Sequence, residues 1–494
     1  MRTLGGNVLA KFDLDGPATT HGQLVFFLHW LASTRLFDHL CETAPLRYTS
    51  PNAPGVRRVL ATLLCGILLG QRRYSHLGSF REDRVLMEAF GIRRFCSEDS
   101  VRRALKLIDW EDGGRDWLYG ALRLSWQNLV GTDWLLDIDV QVKPLYGHQE
   151  GAKVSYNPHK PGRPSHAYHT FWMGTTRTSF GVDVQPGNQH SYRHGLRHLF
   201  DLVDSIPPDG RPKLVRGDCG YGNEDLMREL EERGQRYLFK LKSTRKVVEL
   251  RRLTDRANGW QPIGPGLDHH VQMLQLSGWT RARKVQVFRF ETNKPRKEPP
   301  PDAGSPKRLQ LEFDVLLEDD PSGPRWEYMV VVGETGMNPL ADFQLYRDRA
   351  GSENPHDELA NQWGWGGFTT QDLSRCRICA NLIALAYNWW SQYVRMVNPE
   401  IPHREVITSR PKLLHGVGIL RKPGNKPTVT ITPTHARRDT LSMSVLTFAR
   451  FVNRLTAEQL EPPAIYRRCL THAYSWFLAS RTHNPMLGCL KSGP

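Results

Sequence analysis

The sequence predicts a mixed fold of the α+β and α/β type: a helical N-terminal region, then a strand-led core interrupted by a β-rich insertion. Three observations predict it. Apolar residues recur at three- and four-residue spacing through 22–130, the period of helices with one buried face. From about residue 132 the pattern changes to two-residue alternation and reads β-β-β-α-β. A second strand-rich block fills 230–336, and helices resume near 339.

In the N-terminal region, HGQLVFFLHWLASTRLFDHLCE, GVRRVLATLLCGILLGQ and DRVLMEAFGI read as helices. The near-apolar run VLATLLCGILLG at 59–70 falls short of the ~20 residues that span a bilayer, so a buried helix is expected. SEDSVRRALKLIDW adds a helix with Ser97 as its N-cap and Glu98 and Asp99 in the first turn, where the helix dipole favours acids. Arg102 and Arg103 on it suit phosphate contact, and equally a solvated face.

The core begins with DWLLDIDVQV. Leu136, Ile138 and Val140 alternate with Asp137, Asp139 and Gln141, so a strand places both aspartates on one face. YHTFWMGTTRTSFGVDVQPGN reads as two strands joined by a polar turn, SYRHGLRHLFDLVDSI as a helix, and KLVRGD as a short strand ending in Asp218. An acid at a strand end can face a cleft while its strand stays buried. Gly217 and Gly220 flank Asp218, which suggests room for a ligand backbone. Beyond 230, RYLFKLK, HVQMLQLSGW, KVQVFRFET, RLQLEFDVLLE and WEYMVVVGET show partial alternation, with NKPRKEPPPDAGSPKR as an exposed loop. The expected organisation is a helical DNA-binding region at 1–130, a core split between 131–230 and 338–397, an insertion at 231–337 and a basic C-terminal region at 398–494. That last region carries strand-like KPTVTITP and clustered Arg410, Lys412, Arg421, Lys422, Lys426, Arg437 and Arg438, which suit phosphates or a basic surface alike. No internal repeat is visible.

Hydrophobic content of 39% and charged content of 24% fit a globular chain rather than a disordered one. The net charge of +15 favours a polyanionic partner, foremost double-stranded DNA. Eight irregularly spaced cysteines and an N-terminus without a signal-peptide pattern point to reduced thiols and a cytoplasmic, nucleoid-associated protein, with no membrane partner. Cys376 and Cys379 form a CxxC with no second pair, which argues against zinc.

Asp139, Asp218 and Glu353 lie far apart along the chain. Folding that gathers such carboxylates makes them repel, unless a hard divalent cation lies between them. Two Mg²⁺ (or Mn²⁺) ions held by three acids support in-line phosphoryl transfer. Arg349, four residues before Glu353, suits a phosphate contact.

These residues resemble a known family. LLDIDVQVKPLYGHQEGAKVSYNPHKPGRPSHAYHTF is similar to the first-acid segment of DDE-type bacterial insertion-sequence transposases, where an aspartate-rich strand leads into a Gly-x-Gln loop and a Tyr-rich return strand. KLVRGDCGYGNEDLMRELEERGQRYLFKLK resembles the second segment, its aspartate matching Asp218. LYRDRAGSEN resembles the third, a Tyr-x-x-Arg-x-x-x-Glu signature here formed by Tyr346, Arg349 and Glu353, and LAYNWW resembles the apolar helix that follows. The resemblance spans about 20–450. It implies an RNase H-like catalytic domain that cuts DNA at the ends of its own element and joins the 3′-hydroxyls to a target, acting as a homodimer in the DNA complex. Asp139, Asp218 and Glu353 become the catalytic and metal-holding residues, with Asp137 the alternative first acid. Arg349, Tyr346, Arg102 and Arg103 become the DNA contacts. Trp260, Trp279 and Trp326 of the insertion are candidates for stacking on bases, with the core the commoner place for each.

The chain departs from the family pattern three times. Gln141 stands where a threonine is usual, and Ala360 where a lysine usually follows the glutamate by seven residues. Pro355 suggests a new helix capped by Ser352, with Glu353 at its start, because proline suits only a first turn. Ala360 and Gln141 leave open a second reading, a weak or inactive transposase-derived DNA-binding protein. A glycosidase with two carboxylates fits the basic charge poorly.

Overall fold

The computed structural model describes the chain apart from residues 1, 8, 10–14, 131–132, 156, 158–159, 190–191, 293–324, 369, 399–402 and 483–494. Among the described residues, ten strands form one sheet: β1 (Leu135–Pro144), β2 (Lys153–Val154), β3 (Pro164–Met173), β4 (Thr178–Pro186), β5 (Leu214–Gly217), β6 (Tyr237–Lys240), β7 (Gln261–Gly264), β8 (Leu267–Leu274), β9 (Arg283–Glu291) and β10 (Trp326–Val332). Their spatial order is β7-β8-β9-β10-β6-β5-β1-β3-β2, with β4 also paired to β3. β1, β3 and β4 are joined antiparallel, whereas β5 and β6 run parallel to β1. β6 is bonded to β5 on one side and antiparallel to β10 on the other, so the sheet crosses position 230 without a break.

Helices before the sheet are α1 (Leu24–Ser33), α2 (Leu36–Glu42), α3 (Val56–Leu68), α4 (Arg84–Phe90), α5 (Glu98–Lys106) and α6 (Arg115–Trp126). One apolar run becomes two helices because Arg35 adopts a left-handed conformation, φ 52°, between α1 and α2. Ser97 caps α5 by accepting the Ser100 N–H at 3.2 Å. Within and after the sheet come α7 (Tyr192–Asp204), α8 (Glu224–Glu232), α9 (Arg245–Arg256), α10 (Pro339–Asp348), α11 (Ala350–Asn361), α12 (Leu373–Val397), α13 (Val406–Leu413), α14 (Arg438–Ala457) and α15 (Pro462–Thr482). A small sheet joins 18–19, 417–421 and 428–432. No helix among the described residues is long and apolar enough to cross a membrane.

The 25-residue α12 is apolar on every side and is buried almost throughout, packed against α3, α6, α15 and β4. Several of its polar residues join layers. Asn388 accepts the Ser179 N–H at 2.8 Å and donates to the Ser179 carbonyl and Ser125 hydroxyl at 2.9 Å each, tying β4 to α6.

Three expectations change. α9 is a helix inside a block read as strands. The segment belongs to none of the expected strands, and its Val247, Val248, Leu250, Arg251 and Thr254 are buried on the helix. Ser352 does not cap a new helix: α11 begins at Ala350, and Pro355 lies inside it. Arg349, between α10 and α11, has helical angles of φ −60° and ψ −29°, so the chain passes from one helix to the other without an extended cap. Third, β1 continues to Pro144, well beyond Asp139. RLQLEFDVLLE and NKPRKEPPPDAGSPKR lie outside the described residues.

Candidate active site

Strand register brings the first two acids together. β1 pairs with β5 in parallel from Leu135↔Leu214 to Ile138↔Gly217, and Asp137 faces Arg216. Asp139, still on β1, and Asp218, the first residue past the end of β5, follow that last pair. Beyond that point β1 stays paired only with β3, opposite Thr170, so the two acids sit at the mouth of a split between neighbouring strands about 4.8 Å apart. The Asp218 charge reaches the Asp139 carboxylate.

Asp137 and Asp139 share a strand face but have different surroundings. Asp137 is buried, and Arg216 binds it through both oxygens, at 2.6 and 2.7 Å. A further Arg216 nitrogen donates to the Leu345 carbonyl on α10. Asp139 keeps a quarter of its side chain exposed; it meets the Arg349 guanidinium at 3.2 Å and accepts the Val140 N–H at 2.8 Å. Burial, opposed by Arg349 and reinforced by the Asp218 charge, pushes the Asp139 carboxyl up to about 6.

The glycines beside Asp218 serve the protein itself. A Cβ at Gly217 would lie 2.9 Å from the Tyr221 side chain, and Gly220 donates its N–H to Asp218 Oδ1 at 2.8 Å. Tyr221 is thereby buried beside both acids, and burial together with their charges raises its pKa well above the usual phenol range.

α11 covers the site. The Nε2 of His356 lies 3.9 Å from Asp139, and its ring is within hydrogen-bond reach of the buried Thr170 hydroxyl at 3.3 Å. Arg349 and His356 are seven residues apart, two helical turns, and position 353 falls between them on that face. The Glu353 side chain lies outside the described residues. Among the described residues, no group of three or more His, Cys, Asp or Glu converges on a metal-sized space.

The structure therefore brings Asp139, Asp218, Arg349 and the helix backbone at Glu353 to one place. Tyr346 is half-buried on α10 against a second apolar cluster, and its carbonyl accepts the Arg349 N–H at 3.1 Å. Arg102 lines a separate cavity, and Arg103 is exposed on α5. Ala360 lies in the last turn of α11. Of the tryptophans, Trp279 is buried beneath Arg283, whereas Trp260 and Trp326 hold Arg289 between them, each ring centre 4.5 Å from the guanidinium carbon. Tyr221, Thr170 and His356 went unnoticed in the sequence. The i+3 spacing of His356 from Glu353 was the available signal for one of them.

Residues 131–389 match the family model for the transposase DDE domain, a little over half of the chain. The chain belongs to the DDE transposases. Comparison with curated proteins gives no significant match. Among solved structures, the chain is similar to a piggyBac transposase in a synaptic complex with hairpin DNA, at 12% identity and a TM-score of 0.37 over 92% of this chain and 85% of that one. A likeness that distant assigns no residue a role.

Proposed function

We propose that the chain cleaves the ends of its own mobile element and joins the freed 3′-hydroxyls to target DNA by divalent-metal-dependent phosphoryl transfer. The observation that carries this reading is that Asp139 and Asp218 each immediately follow the last pair, Ile138↔Gly217, of two adjacent parallel strands, beneath the helix that carries Glu353. In this reading the order β4-β3-β1-β5-β6 is an RNase H-like core, built from 131–230 and 338–397. Residues 231–337 are the insertion that extends its sheet, 1–130 the helical DNA-binding region and 398–494 the basic C-terminal region.

Asp139, Asp218 and Glu353 would hold Mg²⁺ or Mn²⁺. Asp139, whose ionisation is opposed by burial and by the neighbouring Asp218 charge, suits a hard cation with oxygen ligands. Such a cation, when bound, supplies activation of the attacking oxygen and neutralises charge at the leaving one. The chain's own groups supply position. Arg349 has N–H donors at the site and can exchange its contact with Asp139 for a phosphate oxygen. Thr170 and His356 limit the swing of Asp139, and Tyr221 fills the space behind both acids. Asp137 is assigned to the fold, because Arg216 occupies both its oxygens. The working form is a homodimer on double-stranded DNA that brings two element ends together, in the cytoplasm at the nucleoid.

The test is Asp218→Ala. Cleavage of end-bearing DNA should be abolished while binding stays within a few-fold. Normal cutting by that variant would overturn the assignment. Specific binding without metal-dependent nicking by the unaltered protein would favour the transposase-derived DNA-binding protein.

A further inference from the structure

A second concave site, of about 600 Å³, lies where the N-terminal helices meet the sheet. Three distant stretches wall it: residues 73–75 with Arg102 of α5, the end of β1 with the loop that follows, and residues 366–368 and 370–371 with Arg375 of α12. They are firmly joined, since Phe368 donates its N–H to the Arg72 carbonyl at 2.8 Å and its ring meets Tyr74 edge-on at 5.3 Å.

The charged lining is Arg73, Arg102, Lys143 and Arg375 against Glu98 alone. Arg102 and Arg375 make long contacts with acids on their own helical turns, at 3.9 and 3.8 Å, too weak to neutralise them. Lys143 is the most informative member. Its ammonium donates to the Tyr168 hydroxyl at 3.3 Å and the Gly367 carbonyl at 3.1 Å, both neutral acceptors, and no carboxylate pairs with it among the described residues. Burial holds its pKa down to about 8. A shielded cation without a counter-ion is costly, and an anion in the cavity removes that cost. At the rim, Tyr146 is exposed, and the side chains of Lys160 and Arg163 lie over its ring at 4.9 and 4.7 Å.

Lys143 has the same strand parity as Asp139, so both belong to one face of β1, about 13 Å apart at ~3.3 Å per residue. That is about four base pairs at the ~3.4 Å rise of duplex DNA. We infer that this cavity is a second DNA-contact site, which takes phosphodiester groups of the DNA flanking the cleavage point. The inference rests on the transposase reading and adds a contact that the three acids do not supply.

The experiment measures binding of a labelled end-bearing duplex to the full chain in EDTA, across a salt series, so that no cleavage step enters. Arg73→Ala with Arg102→Ala is compared with Arg450→Ala with Arg467→Ala, an equal charge loss at exposed positions on α14 and α15. The first pair should weaken binding about tenfold or more and flatten the salt slope by about 2, one released counter-ion per lost phosphate contact. The control pair should change little. Equal effects from the two pairs would overturn the inference. So would loss of free ATP binding by the first pair with DNA affinity at the control level, since the occupant would then be a nucleotide. Nicking by the unaltered protein alongside either result would leave the transposase reading standing, so the two failures are distinguishable.

Discussion

Two aspartate–arginine pairs lie two residues apart on one face of β1 and behave differently. Asp137 and Arg216 are both buried and doubly bonded. Asp139 and Arg349 meet through one contact of 3.2 Å at a partly open site, with Asp218 and His356 alongside. The same chemical couple is a structural rivet in one place and, in the proposed function, an exchangeable contact in the other. The difference lies in what else competes for the carboxylate: a saturated acid stabilises the fold, whereas one whose ionisation is opposed by burial and a like charge is poised for a ligand.

Breaking the first pair should have the largest effect on stability. Arg216→Ala leaves Asp137 buried without its partner and should destabilise the fold by about 3–5 kcal/mol, read from denaturant melts. A loss as small as that of an exposed arginine would dissolve the contrast. Arg349→Ala should do the reverse, costing about 1 kcal/mol of stability or less while slowing DNA cleavage about 100-fold, or ~2.7 kcal/mol of barrier. Single-turnover cleavage and a melt on the same preparation separate the two.

The raised pKa of Asp139 sharpens the comparison further. Its folded value is above the unfolded one, so the native state keeps a proton that the unfolded chain has already released between about pH 4 and pH 6. Metal-free stability from this group is therefore lost as pH rises through that window and stays lost above it. Asp139→Asn should make the metal-free protein about 2–3 kcal/mol more stable at pH 8 and leave it unchanged near pH 3.5, by melts in EDTA. Equal stability at pH 8 would show that Arg349 fully compensates Asp139. The smallest effect is expected at Thr170→Val, about 1 kcal/mol from the lost contact to His356, with cleavage reduced only a few-fold.

The sequence carried more of this site than its parts suggest. Asp137-x-Asp139 and Arg216-x-Asp218 have matching spacing. Parallel strands in register must then set Asp137 beside Arg216 and Asp139 beside Asp218. Parity alone leaves the two aspartates equivalent; the register distinguishes their neighbours, and a single sequence does not state the register. The strand-to-helix order of the core was readable because its periods are long and clean. α9 was not, since its buried residues are few and interrupted by charges, within a block where two-residue alternation dominates. Nor was the start of α11, where packing over Asp139 outweighs the local preference against Pro355. The Gly217 and Gly220 pair was visible, yet its reason was Tyr221 and the Asp218 carboxylate, which only the fold reveals.

The central claim is that Asp139 and Asp218, and not Asp137, share a divalent cation with Glu353. Calorimetric titration of Mn²⁺ into the unaltered protein, Asp139→Asn, Asp218→Asn and Glu353→Gln tests it without requiring catalysis. Saturable binding by the unaltered chain and severe weakening in all three variants, each still folded by its melt, are expected. Undiminished Mn²⁺ binding by folded Asp139→Asn would contradict it.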